Sequence, residues 1–230
     1  PAFAKIQQDY DKLSHTYSRV LRLTMVLSFP VAILIAVLAP DFTAIFLGPK
    51  WLPIIPAVQL LVFSGLLKSI ASTGSPLFMG CGRPQREFYM QFVRAGIMML
   101  VVWPFTRQWG LNGTSWAVIL SSLGMFFAWS VGLKHIVRVS LRTHWERMKY
   151  PLVAGAFMLG AMGLYKSVVT ITGQTLIRSS VRFAGAMMAG SAVYIGALIL
   201  FKVIGHDDAL NEDIQLIFQT LSKRKKETPA

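Results

Sequence analysis

The chain has 230 residues, 54% of them hydrophobic and only 14% charged, with a mean hydropathy of +0.53. A soluble domain usually carries about 25% charged residues, so this composition excludes an ordinary soluble fold. The net charge is +13, yet the basic residues cluster between apolar spans. That pattern points to anionic lipid head groups rather than nucleic acid. One cysteine, Cys81, excludes an internal disulfide framework and any paired-cysteine metal or redox site.

Residues 1–19 are mixed polar and read as a helical lead-in at the membrane surface. The chain starts at Pro1 and shows no signal peptide, and it reads as the C-terminal part of a longer protein. The first span is Val20–Ala39, interrupted by Pro30, which removes one helical hydrogen bond and frees a carbonyl. A short amphipathic connection, Pro40–Trp51, places Phe46 and Trp51 where aromatic rings suit the membrane interface.

The second span, Pro56–Met79, is predicted as one helix and ends at the Gly80–Pro84 turn. Near its middle is Lys68, about 18 Å along from Pro56. On a helical wheel Lys68 shares a small, polar face with Ser64, Gly65, Ala71, Ser72 and Ser75, opposite Phe63, Leu66, Ile70 and Leu77. An ionisable residue at that depth is a candidate functional site. The competing reading is structural, with Lys68 packed on carbonyls at a helix break.

The third span, Phe88–Thr106, carries Arg94 on one face with Glu87 and Gln91. Arg94 either contacts substrate or snorkels to head groups. A turn over 107–113 leads into the fourth span, Thr114–Leu133. A basic loop, 134–150, precedes a fifth span, Pro151–Ile171. The sixth, Arg182–Ile204, has Gly185, Ala189, Ala192 and Gly196 at spacings that permit close helix approach. Residues 205–230 form a tail with a short amphipathic piece and a basic end.

The predicted fold is thus all-α and polytopic, with six transmembrane helices. Residues 1–19 lead in, 20–133 hold four helices, 134–150 a loop, 151–204 two more helices, and 205–230 the tail. Seventeen basic residues fall on the side of the chain ends and five (Lys50, Arg107, Lys166, Arg178, Arg182) on the other. Both ends are therefore expected in the cytoplasm.

All ten acidic residues and all four histidines lie in loops, helix ends or termini. No paired carboxylates, nucleophile–base pair or spaced metal ligands emerge, so neither an enzyme, a metal site nor a cofactor is expected. The spans hold no buried acid of the kind a cation exporter uses. A buried lysine suits an anionic passenger bearing phosphate.

The order of these features resembles a known family. Asp9 and Tyr17 in the lead-in, Pro30, the Phe46-Leu47-Gly48…Trp51 turn and the Gly82-Arg83-Pro84 turn carry the resemblance, across Pro1–Gly113. The chain is similar to polysaccharide flippases of the multidrug/oligosaccharidyl-lipid/polysaccharide exporter superfamily, in particular O-antigen and exopolysaccharide transporters. The resemblance implies the last six helices of a longer chain, usually of fourteen. It also implies two six-helix lobes around a cationic cavity, and a fifth and sixth span peripheral to the pathway. The implied location is the bacterial inner membrane. The implied activity is alternating-access transfer of an undecaprenyl-pyrophosphate-linked oligosaccharide, with Lys68, Ser64, Ser72 and Arg94 meeting the phosphates. Anionic lipids and other polysaccharide assembly proteins are the expected partners. A multidrug exporter of the same architecture, a membrane-embedded glycan-assembly enzyme and a non-transporting scaffold stand as alternatives.

Overall fold

The computed structural model describes residues 10–82, 84–134, 141–169 and 176–205, helical almost throughout and without a strand among them. The start of the lead-in, Arg83, the centre of the basic loop and the tail from residue 206 lie outside the described residues. Five apolar segments among the described residues are long enough to cross a membrane: Leu13–Leu47, Pro49–Gly80, Pro84–Leu133, Lys149–Val168 and Ser179–Phe201. The chain is a multi-pass, all-α membrane protein. Large side chains cover its outside, Met99 and Leu100 being 76% and 78% exposed. Lipid tolerates that surface where water does not.

Helix α1, Tyr10–Phe42, is one element, so the lead-in from Tyr10 onward is continuous with the first span. It runs through both Pro30 and Pro40. Each proline lacks the N–H that would bond the carbonyl four residues earlier, which here frees Val26 and Ala36. Both carbonyls are satisfied from other helices. Tyr194 donates its hydroxyl to Val26 O at 2.9 Å, and Gln59 donates Nε2 to Ala36 O at 2.9 Å. In lipid such replacement donors are what make a mid-span proline tolerable.

After α1 the chain tightens through a π turn, Thr43–Leu47. It reverses at Gly48 (φ 84°) and enters a 3-10 turn, Pro49–Ile54. Helix α2 is Ile55–Ser72 and α3 is Ser75–Gly80. The second span is therefore not the single helix that its hydropathy predicts. Thr73 N–H bonds to Ile70 O and Gly74 N–H to Ala71 O, three residues back, which closes α2 early. A Cβ on Gly74 would lie 2.0 Å from Trp129 Nε1, so the indole occupies the space of the missing side chain.

Helix α4, Pro84–Lys134, is broken at Gly110, whose φ 55° and ψ −129° lie in a region open essentially to glycine. Thr106 and Thr114 share a hydroxyl hydrogen bond of 2.9 Å. Eight residues of straight helix would separate them by about 12 Å. Ser121 also reaches Met98 Sδ at 3.8 Å, and a Cβ on Gly132 would meet Met90. The two arms of α4 thus run antiparallel from Gly110, and the turn predicted over 107–113 is a single non-helical residue. Helices α5, Leu141–Val168, and α6, Leu176–Gly205, pair with one another and with α1.

Two cores result. Leu13, Tyr17, Leu21, Met25 and Phe29 of α1 pack with Ile70, Leu77, Phe78, Trp129 and Leu133. Tyr17 and Trp129 are both fully buried, with ring centroids 6.0 Å apart. The second core joins Leu38 to Ala154, Met158, Met162, Ala186, Tyr194 and Leu198 of α5 and α6.

Candidate functional site

The structure places the four sequence-derived candidates in different settings. Lys68, on α2, is exposed on the side of the bundle rather than enclosed. Arg94, on the first arm of α4, is half-buried. It lines a cavity of about 240 Å³ together with Gln91, Ala95, Met98, Val118 and Ser121. Gln91 also donates to Glu87 Oε1 at 3.1 Å.

Ser64 is buried at 2% exposure and shares a 2.9 Å hydrogen bond with Ser122 Oγ on the second arm of α4. Ser122 in turn donates to Val118 O at 2.7 Å, which leaves Ser64 as the donor to Ser122. Its hydroxyl is thereby engaged in joining two helices. Ser72 is exposed and donates to Ser69 O, within its own helix. The polar wheel face is split: Ala57, Ser64 and Ala71 are buried, while Gly65, Lys68 and Ser72 stay open. Lys68 and Arg94 lie on neighbouring helices, and the two serines are not grouped with them.

A cation within a membrane span is poorly solvated unless it meets a counter-charge. Among the described residues neither Lys68 nor Arg94 is ion-paired with a carboxylate. An anion is the chemical complement of such a pair, and a phosphate group accepts from both an ammonium and a guanidinium. Among the described residues no three His, Cys, Asp or Glu side chains gather where they would hold a metal.

Two features were not singled out from the sequence. Asp41, at the end of α1, is 4% exposed and ion-paired with Lys166 of α5 at 2.5 Å and with Arg182 of α6. Lys166 also donates to Val37 O at 2.7 Å. Alternating spans put all three residues at the same end of the bundle, which was the available clue. The other is a larger aromatic cavity beside Gly110, between the arms of α4.

Residues 1–56 match a protein family described as "Polysaccharide biosynthesis protein". The chain is 36% identical over 88 residues to a lipopolysaccharide biosynthesis protein, WzxC, of Escherichia coli K12, covering 38% of this chain and 18% of that one. It is 30% identical over 119 residues to an uncharacterized membrane protein in the cps region of Klebsiella pneumoniae, covering 52% and 24%. With a teichuronic acid biosynthesis protein, TuaB, of Bacillus subtilis, it shares 22% identity over 204 residues, covering 86% and 41%. The chain spans about two fifths or less of the length of these relatives. No solved structure matches it. An all-helical, multi-pass architecture thus accompanies a first stretch, residues 1–56, that is similar to the polysaccharide biosynthesis family.

Proposed function

We propose that this chain is the part of a transporter that moves a lipid-linked oligosaccharide across the bacterial inner membrane by alternating access. Lys68 and Arg94 are its contacts to the phosphate-bearing linkage. The observation that carries this reading is Arg94 in the wall of an open cavity, with a second cation, Lys68, on the adjoining helix α2 and no carboxylate partner for either among the described residues. Catalysis has no comparable support, and two of the relatives are named for lipopolysaccharide and teichuronic acid biosynthesis. The bias of basic residues supports an orientation with both described ends toward the cytoplasm.

The test uses the protein as its host encodes it, in a strain lacking that gene. Lys68→Ala and Arg94→Ala are each expected to abolish surface polysaccharide while membrane levels stay normal. Lys68→Arg, which keeps the charge, restores at least part of it. Normal polysaccharide from both alanine variants would remove the anion site. Export of a cationic dye that survives them would turn the reading toward a drug exporter.

A further inference from the structure

At the turn of α4, Phe105, Trp109, Asn112 and Trp116 line a cavity of about 530 Å³. That volume lies within the range of small-ligand sites. Trp109 and Trp116 are 55% and 49% exposed, and Asn112 is exposed, so rings and amide alike are accessible. Phe105 and Trp109 meet edge to face, with centroids 5.0 Å apart and planes 77° apart, forming an aromatic corner. Gly110 creates the site. Its backbone turn brings Asn112 and Trp116 of the second arm opposite Phe105 and Trp109 of the first.

We infer that this cavity is a saccharide-binding subsite. A pyranose ring has an apolar face of weakly positive C–H groups, and an aromatic face is apolar and carries negative quadrupolar charge. The same ring carries hydroxyls that both donate and accept, and the Asn112 amide offers two donors and an acceptor. Aromatic walls with one neutral amide suit an uncharged sugar better than a phosphate, which favours cations. A lipid chain would leave the amide unused.

The inference rests on the transport reading above and deepens it. Arg94 and Phe105 are eleven residues apart on one arm, about 16 Å along the axis and nearly on the same helical stripe. The cation site and the aromatic cavity therefore follow one another along the hairpin. That order suits a passenger with an anionic linkage at one end and sugars at the other.

The purified full-length protein in nanodiscs is titrated with two soluble probes. One is the neutral repeat-unit oligosaccharide released from the host's own surface polysaccharide, free of lipid and phosphate. The other is inorganic pyrophosphate. Oligosaccharide is expected to change tryptophan fluorescence saturably. Asn112→Ala, read by the same signal, is expected to weaken it about tenfold. Trp109→Ala and Trp116→Ala, read by calorimetry, are expected to weaken it at least as much. Lys68→Ala leaves oligosaccharide binding intact and removes pyrophosphate binding.

Absence of saturable oligosaccharide binding to the wild-type protein would overturn the subsite. So would unchanged binding in all three variants, which would leave the tryptophans as interface anchors. Oligosaccharide binding that persists although Lys68→Ala and Arg94→Ala transport normally would uphold the subsite and sink the anion site alone.

Discussion

Toward α2, α3 and α4, helix α1 presents a ladder of large apolar residues at fourfold spacing, Leu13, Tyr17, Leu21, Met25 and Phe29. Toward α5 and α6 it presents Leu38, the carbonyls of Val26 and Val37, and the Asp41 carboxylate. The first side is held by shape, with Trp129 filling the place where Gly74 has no side chain. The second is held by small residues, methionines and charge. In lipid, apolar surfaces gain little by meeting one another, so close packing and polar contacts decide association. The two regions show these two solutions on one helix.

The largest effect is expected from Asp41→Ala. It leaves Lys166 and Arg182 without their carboxylate in a partly buried site, at a cost of about 3 kcal/mol. The α5–α6 pair should loosen from α1 while the other core stays intact. In a Cys81→Ser background, a disulfide between Ile33→Cys and Gly155→Cys reports this docking, because those residues are in contact. Undiminished cross-linking in Asp41→Ala would show that the ion cluster does not hold the pair.

Gly74→Ala probes the opposite side. The new methyl must displace a fully buried indole, which costs about 2 kcal/mol by overpacking. Thermal unfolding in detergent should move to lower temperature, with the Ile33–Gly155 cross-link unchanged. Loss of the cross-link as well would mean that the two sides are one cooperative unit.

Tyr194→Phe is expected to have the smallest effect, about 1 kcal/mol, since it removes only the hydroxyl that serves the Pro30-freed carbonyl. A Pro30→Ala change supplies that carbonyl with a backbone donor again, so the double variant should regain the loss. Equal stability of Tyr194→Phe and the double variant would break this coupling.

Much of the fold was legible in the sequence. Hydropathy marked an all-α, multi-pass chain, Pro30 announced a freed carbonyl, and the glycine-containing turn near Gly110 marked a reversal. The partners were hidden because they are remote. The donor to Val26 lies 168 residues later, and Ser64's partner lies 58 residues away. The wheel grouped Ser64 with Lys68 correctly as neighbours on a helix. Only packing against α4 shows that one of them is used between helices while the other stays open. The contact at Gly74 was hidden for the same reason, since Trp129 reaches it from another element. The aromatic cavity needed the hairpin geometry before its four residues became neighbours.

The place of Asp41 at the end of α1 has a consequence for biogenesis. Lys166 is made 125 residues after Asp41, a delay on the order of ten seconds at usual synthesis rates. A carboxylate in the middle of the span would spend that interval uncompensated in hydrocarbon. At the helix end it waits among water and head groups. It loses that hydration only when the two cations arrive to replace it. The last two helices thus dock onto a charge that the membrane has already tolerated, and insertion of α1 need not await them.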